Sequence, residues 1–180
     1  MAHTNTRINI LEAAAEIVNE QGILALTLES TAKKAGISKG GLLHYFPSKQ
    51  ALIRGMVENV NESYVHNIKE GVMNDPVKNG KWTRSFIQET NEQLTTNQTM
   101  NAGILAAMAV NPELLSPFQN AYQEWQQNIE QDDLDKVNAT ILRLAADGLW
   151  LSELFGLAPL EENIRKDVLE KLIELSKEDF

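Results

Sequence analysis

Residues 27–49 hold the side chains best placed to do chemistry. Lys33, Lys34, Lys39 and Lys49 stand against Glu29 alone, a local balance of +3, and His44 adds an imidazole. Ammonium groups gathered in this way suit an anionic partner, because phosphate binding depends on Lys and Arg. Within the same stretch Gly40 and Gly41 are adjacent. Each costs roughly 1 kcal/mol against alanine in a helix, so stability would not select them. Bare backbone does allow close approach to the edge of another molecule. Elsewhere the chain offers no competing chemistry. His3, His44 and His66 share no metal-ligand spacing, cysteine is absent, and the scattered acids form neither a Ser-His-Asp arrangement nor a carboxylate pair. The chain is therefore expected to be no enzyme, with no catalytic residue, no metal site and no cofactor.

These residues lie in a chain of 180, with 25 acidic residues against 16 basic ones and a formal net charge of −9. At 43% hydrophobic it has an ordinary globular composition, long enough for one large domain or two small ones. No apolar run approaches the roughly 18–20 residues of a membrane span. Glu12 and Glu16 interrupt the apolar patch near the start, so neither a signal peptide nor a membrane partner is expected, and the localisation expected is cytoplasmic. The net charge alone argues against nucleic acid, but it is unevenly spread. Residues 1–60 carry six basic and five acidic side chains, a net of +1, which leaves −10 for the other 120. Such asymmetry hints at a nucleic-acid module joined to an acidic body.

The elements are helices separated by short breakers, with no convincing strand pattern. Ile8, Leu11, Ala15 and Val18 recur at helical spacing, with Thr4 or Asn5 placed to cap the start and Gly22 after the end. Thr27 caps a short second helix with Leu28, Ala32 and Ala35 on one face, and Gly36 follows. Ser38 caps a third, which runs to Phe46. Pro47 ends it and Ser48 caps a long fourth helix (Leu52, Ile53, Met56, Val57, Val60, Tyr64, Ile68). Asn74 to Gly80 is the most polar break. Beyond it, helices are predicted from Lys81 to about Asn97, from Asn101 to Val110, after Asn111-Pro112, from Leu134 to about Phe155, and from Glu161 to about Lys177. The helix after Asn111-Pro112 should be interrupted at Ser116 or restart at Pro117. The fold class is all-α with about nine helices: residues 1–50 form a three-helix domain and 51–180 a helical bundle.

Two short helices joined through Gly36 and Ile37, backed by a first helix, have the sequence form of a helix-turn-helix. The run Ser38-Lys-Gly-Gly-Leu-Leu-His-Tyr-Phe-Pro-Ser-Lys-Gln-Ala-Leu52 resembles the recognition-helix signature of the tetracycline-repressor (TetR) family of bacterial regulators, and Thr27-Leu-Glu-Ser-Thr-Ala-Lys-Lys-Ala-Gly-Ile37 fits the preceding half of that motif. The resemblance is specific over about residues 7–55 and architectural beyond, although Asp147-Gly-Leu-Trp-Leu151 is similar to a segment in some members' penultimate helix. It implies that Thr27 meets a phosphate, that Ser38, Lys39, Gly40 and Gly41 face base edges with Lys39 directed at guanine, that His44 contacts base or backbone, and that Tyr45 and Lys49 contact phosphate. Leu43 departs from the pattern, which commonly places a tyrosine there.

One helix-turn-helix makes few base contacts, so specific binding calls for a homodimer on two half-sites. The helix over 134–155 is apolar on more than one face, and the last repeats Ile164, Val168, Leu172 and Leu175. By resemblance these two helices form a four-helix interface across a two-fold axis, with Ile141, Ala145, Leu149, Val168, Leu172 and Leu175 in it. Trp82, Phe86, Met100, Met108, Phe118, Tyr122, Trp125 and Trp150 make an aromatic and methionine-rich interior. By resemblance it would hold an apolar or aromatic small-molecule effector, lined by Trp82, Phe86, Met108, Phe118, Tyr122 and Trp150. Asp147 has a simpler partner in Arg143, four residues earlier. The expected function is a ligand-responsive repressor that binds a palindromic double-stranded operator as a dimer. The alternative is a helical ligand-binding or protein-interaction protein without effector-controlled DNA release.

Overall fold

The structure, a computed structural model, describes residues 2–96, 103, 105–107 and 109–177. All regular secondary structure among the described residues is helical. The helices are α1 (Ala2–Gln21), α2 (Leu28–Lys34), α3 (Lys39–Tyr45), α4 (Lys49–Asn74) and α5 (Lys81–Thr96), then α6 over the described residues between 103 and 110, α7 (Ser116–Ile129), α8 (Lys136–Phe155) and α9 (Glu162–Leu175). No helix among the described residues is long and apolar enough to cross a membrane.

The chain divides into two compact units, residues 1–62 with 97–119, and residues 63–96 with 120–180. Helices α4 and α7 each contribute to both. The boundary expected after residue 50 falls near the start of α4, within the first unit.

In the first unit, α1 buries Ile10, Leu11, Ala14 and Ile17, and α4 buries Leu52, Ile53, Met56 and Val57. Phe46 closes the end of α3 onto Gly55 of α4, where even a Cβ would stand 2.5 Å from its ring, and Arg7 of α1 lies 5.7 Å from the ring centroid. Helix α1 begins at Ala2, so Thr4 and Asn5 lie inside it and do not cap it. Nothing in Thr4-Asn5-Thr6 breaks a helix, and each residue is tolerated within one. Between α1 and α2 a 3₁₀ turn (Ile23–Ala25), which no sequence signal announces, follows Gly22 in the left-handed region at φ 80°. Pro112–Leu115 forms another, capped by Asn111, and α7 restarts at Ser116, which settles the position of Pro117 within the first turn.

In the second unit α5 is the central helix and packs chiefly on α8 and α9. Its buried face is unusually polar, carrying Thr83, Arg84, Ser85, Glu89, Thr90 and Gln93. The Arg84 guanidinium binds Asp75 Oδ2 at 2.7 Å and the carbonyls of Asn79, Val77 and Ser176 at 2.7, 2.6 and 2.8 Å. It thereby ties the α4–α5 connection, α5 and the end of α9 together. The carboxylate of Asp132, also buried, accepts from the N–H and hydroxyl of Thr83 and serves the first turn of α5 as a cap supplied from another segment.

Candidate nucleic-acid interface

The candidate site is built on two seven-residue helices. Helix α2 starts at a capping box: Thr27 Oγ1 accepts from Ser30 N–H at 2.9 Å while Ser30 Oγ accepts from Thr27 N–H at 3.0 Å. The Thr27 hydroxyl also donates to Ser30 Oγ. Both donors of Thr27 are thus engaged in the cap, and a phosphate contact by this residue must displace one of them. Gly36, at φ 68°, turns the chain between α2 and α3. Ser38 then caps α3 by accepting from Gly41 N–H at 3.1 Å.

The register of α3 follows from its single buried residue. Leu42 is fully buried and Phe46 follows one turn later, so Lys39, Gly40, Leu43 and His44 lie on the outward side. A Cβ on Gly40 would meet nothing within 4 Å, whereas one on Gly41 would sit 3.3 Å from the capping Ser38 Oγ. The fold therefore gives a reason for Gly41 and none for Gly40. Lys39 is exposed, its ammonium 3.8 Å from Glu29 of α2. His44 is exposed and meets Tyr45 edge to face, 5.5 Å between centroids, while Tyr45 is half-buried. Lys49 is half-buried and donates to Ile23 O at 3.2 Å. That bond pins the 3₁₀ turn and leaves the ammonium with further protons to give.

The four lysines of residues 27–49 are not equivalent. Lys34 is bound by Glu16 at 2.9 Å and Glu20 at 3.0 Å, both on α1, and its hydrogen bonds to Glu16 and Glu20 raise its pKa above the ordinary lysine value. It clamps α2 to α1. Lys33, Lys39, Lys49 and Arg54 are the cations left at the surface around α3, of which Lys49 is partly covered.

Two family models match the chain. Residues 10–56 match "Bacterial regulatory proteins, tetR family", and residues 80–177, more than half of the chain, match "Tetracyclin repressor-like, C-terminal domain". The chain belongs to the TetR family. A curated relative, the HTH-type transcriptional regulator UidR of Escherichia coli, is 36% identical over 67 residues, 37% of this chain and 34% of its own length. The aligned part is thus about a third of that relative. Among solved structures, the fatty acid degradation regulator FadR of Bacillus halodurans matches with a TM-score of 0.73 at 15% identity, over 94% of this chain and 93% of FadR. The multidrug binding protein EbrR complexed with ethidium matches at 0.59 and 22%, over 93% and 98%. At these identities the structural matches establish a shared TetR fold.

In the second unit of this TetR chain, Phe86 and Tyr122 come together at 5.9 Å, edge to face, in a cluster with Tyr64 and Trp125. Burial pushes the phenols of Tyr64 and Tyr122 up, so both stay protonated. Sequence does not single out Tyr64 as a member, because it reads there as one more apolar position of α4. Trp82 is half-buried and lines a polar groove of about 280 Å³ with Lys78, Lys81 and Asp133. Phe118 belongs to the first unit, and Met108 lies outside the described residues. Trp150 is half-buried, with its indole N–H buried and without an acceptor. Asp147 pairs with Arg143 at 2.6 Å, as its spacing predicts, and also accepts from the Tyr122 hydroxyl at 3.0 Å. Burial raises its pKa, against those two partners.

The expected interface residues divide in two. Leu149 and Leu172, 7% and 8% exposed, are covered by the chain's own helices, which removes them from a free surface. Val168 and Leu175 are half-buried, and Ile141 and Ala145 are exposed. The continuous exposed stripe on α8 is Val137, Ile141, Leu144, Leu151 and Phe155, with Gly148 between. Its spacing of three and four marks a single face.

Proposed function

We propose that this TetR-family chain is a ligand-responsive transcriptional repressor that binds a palindromic DNA operator as a homodimer. The observation that carries the reading is the outward side of α3: a capped helix presenting a lysine, an imidazole and a glycine that the fold itself does not require, beside surface cations on α2 and α4. Lys39, Gly40 and Gly41 face the base edges, and His44, Tyr45 and Lys49 hold the backbone. The homodimer forms on the exposed apolar stripe of α8 with Ile164 of α9, a patch that water would otherwise cover. An apolar or aromatic effector binds in the second unit, a reading supported by the ethidium complex of EbrR and by the Phe86–Tyr122 cluster. Because α4 has residues in both units, an effector that prefers one orientation of α4 changes the separation of the two α3 helices. It acts only through its differential affinity for the two states. Selection from a random DNA pool tests the proposal. An inverted repeat with half-site centres about one helical turn, or a multiple of it, apart is the expected result. A pool that remains unenriched refutes it.

A further inference from the structure

The outward side of α3 carries one residue that its neighbours do not explain. Leu43 is 39% exposed amid Lys39, Gly40 and His44, in the most basic part of the chain, while the preceding Leu42 is fully buried. Residues three apart on a helix are neighbours, so Leu43 and Gly40 share the outward side. The space where a Gly40 Cβ would sit is open, with nothing within 4 Å. The exposed part of Leu43 and the bare Gly40 backbone thus leave a small apolar notch on this side, one helical turn from Lys39.

We propose that this notch reads thymine, with Leu43 contacting the C5-methyl group, and that Leu43 is a specificity-determining residue of the protein. The inference rests on the DNA-binding reading above. The surrounding cations fit a polyanion, and the notch then faces base edges. Among the groups displayed in the major groove only the thymine methyl is apolar. Leucine has no hydroxyl with which to hold a phosphate, so the residue serves sequence discrimination and not general affinity.

The test starts from an operator selected by the full-length chain. Each thymine is replaced singly by deoxyuridine, which lacks only the methyl group, and affinities are measured at fixed salt. Wild type should lose about fourfold at one thymine per half-site, the value of one buried methyl-sized group, and about 16-fold when both half-sites are changed. Leu43→Ala should be insensitive to the methyl at that position while keeping the wild-type salt slope, since every cation that neutralises a phosphate is still in place. In a fresh selection Leu43→Asn should lose the thymine there. Deoxyuridine that costs nothing at any position, or costs wild type and Leu43→Ala equally, overturns the role of Leu43 and leaves DNA binding standing. A chain that enriches no sequence overturns both.

Discussion

Gly40→Ala should stabilise the protein and weaken its grip on DNA. Gly40 is helical, is absent from the positive-φ glycines (Gly22, Gly36, Gly80 and Gly156), and its new Cβ would meet nothing within 4 Å. Alanine therefore gains helix propensity without a steric cost. The position is near the start of a seven-residue helix, so the gain sits at about 0.5–1 kcal/mol. For a chain of 180 residues that raises the melting midpoint of the first unit by about 1–4 °C. On DNA the same methyl occupies space that a base edge must enter. Forcing an extra group into a packed contact costs about 1–3 kcal/mol, so affinity should fall on the order of tenfold. Circular dichroism melting and fluorescence anisotropy on the selected operator give the two numbers. Opposite signs are the signature. If Gly40→Ala binds as tightly as wild type, the close approach of backbone to DNA is wrong, and if it melts earlier, the helical reading of Gly40 is wrong.

Arg84→Met should cost about 3–5 kcal/mol, because it leaves the Asp75 carboxylate and three carbonyls without their donor. Burial alone would raise the Asp75 pKa, but the hydrogen bond from Arg84 and the Val77 N–H hold it below its ordinary value. The stability this carboxylate adds is present above its unfolded pKa and is lost as pH falls below about 4 toward the folded value. Acid titration followed by circular dichroism should therefore show a flatter acid limb in Arg84→Met than in wild type, and parallel limbs would remove Arg84 from that role. Lys49→Ala should lower the salt slope of DNA binding by about 0.9 for each phosphate that the lysine neutralises; an unchanged slope would leave Lys49 as the pin on Ile23 alone. Ile141→Asp places a charge in the middle of the exposed α8 stripe. Light scattering should fall from twice the 20.1 kDa chain mass to that mass itself, and a wild-type chain already monomeric at micromolar concentration refutes the interface.

Local chemistry makes the first unit legible. Thr27, Ser38 and Ser48 are caps because their hydroxyls meet N–H groups three residues on, and Gly36 turns the chain because it takes a positive φ. Those signals are complete within a few residues of sequence. What stays hidden depends on contacts distant in the chain. Lys34 counts toward the basic surface by composition, yet Glu16 and Glu20 bind it. Arg84 and Asp132 gain their roles from residues 92 and 49 positions away in the chain. Leu149 and Ile141 are both apolar positions of α8, and a helix apolar on two sides does not declare which side its own core takes. The aromatic set reads as one lining, but helical spacing carries no information that Trp82 borders a polar groove. In sequence Leu43 is only a departure from a family pattern, and its significance rests on exposure and on the empty space over Gly40.

In the proposed complex the outward side of α3 enters the major groove at two symmetric half-sites. Methylation protection on the selected operator tests it directly, since dimethyl sulfate attacks guanine N7 on the major-groove edge. Two protected patches should appear, related by a two-fold axis and centred about one helical turn, or a multiple of it, apart, with Lys39→Ala exposing one guanine in each. A single protected patch, or binding that leaves every guanine N7 open, would contradict it.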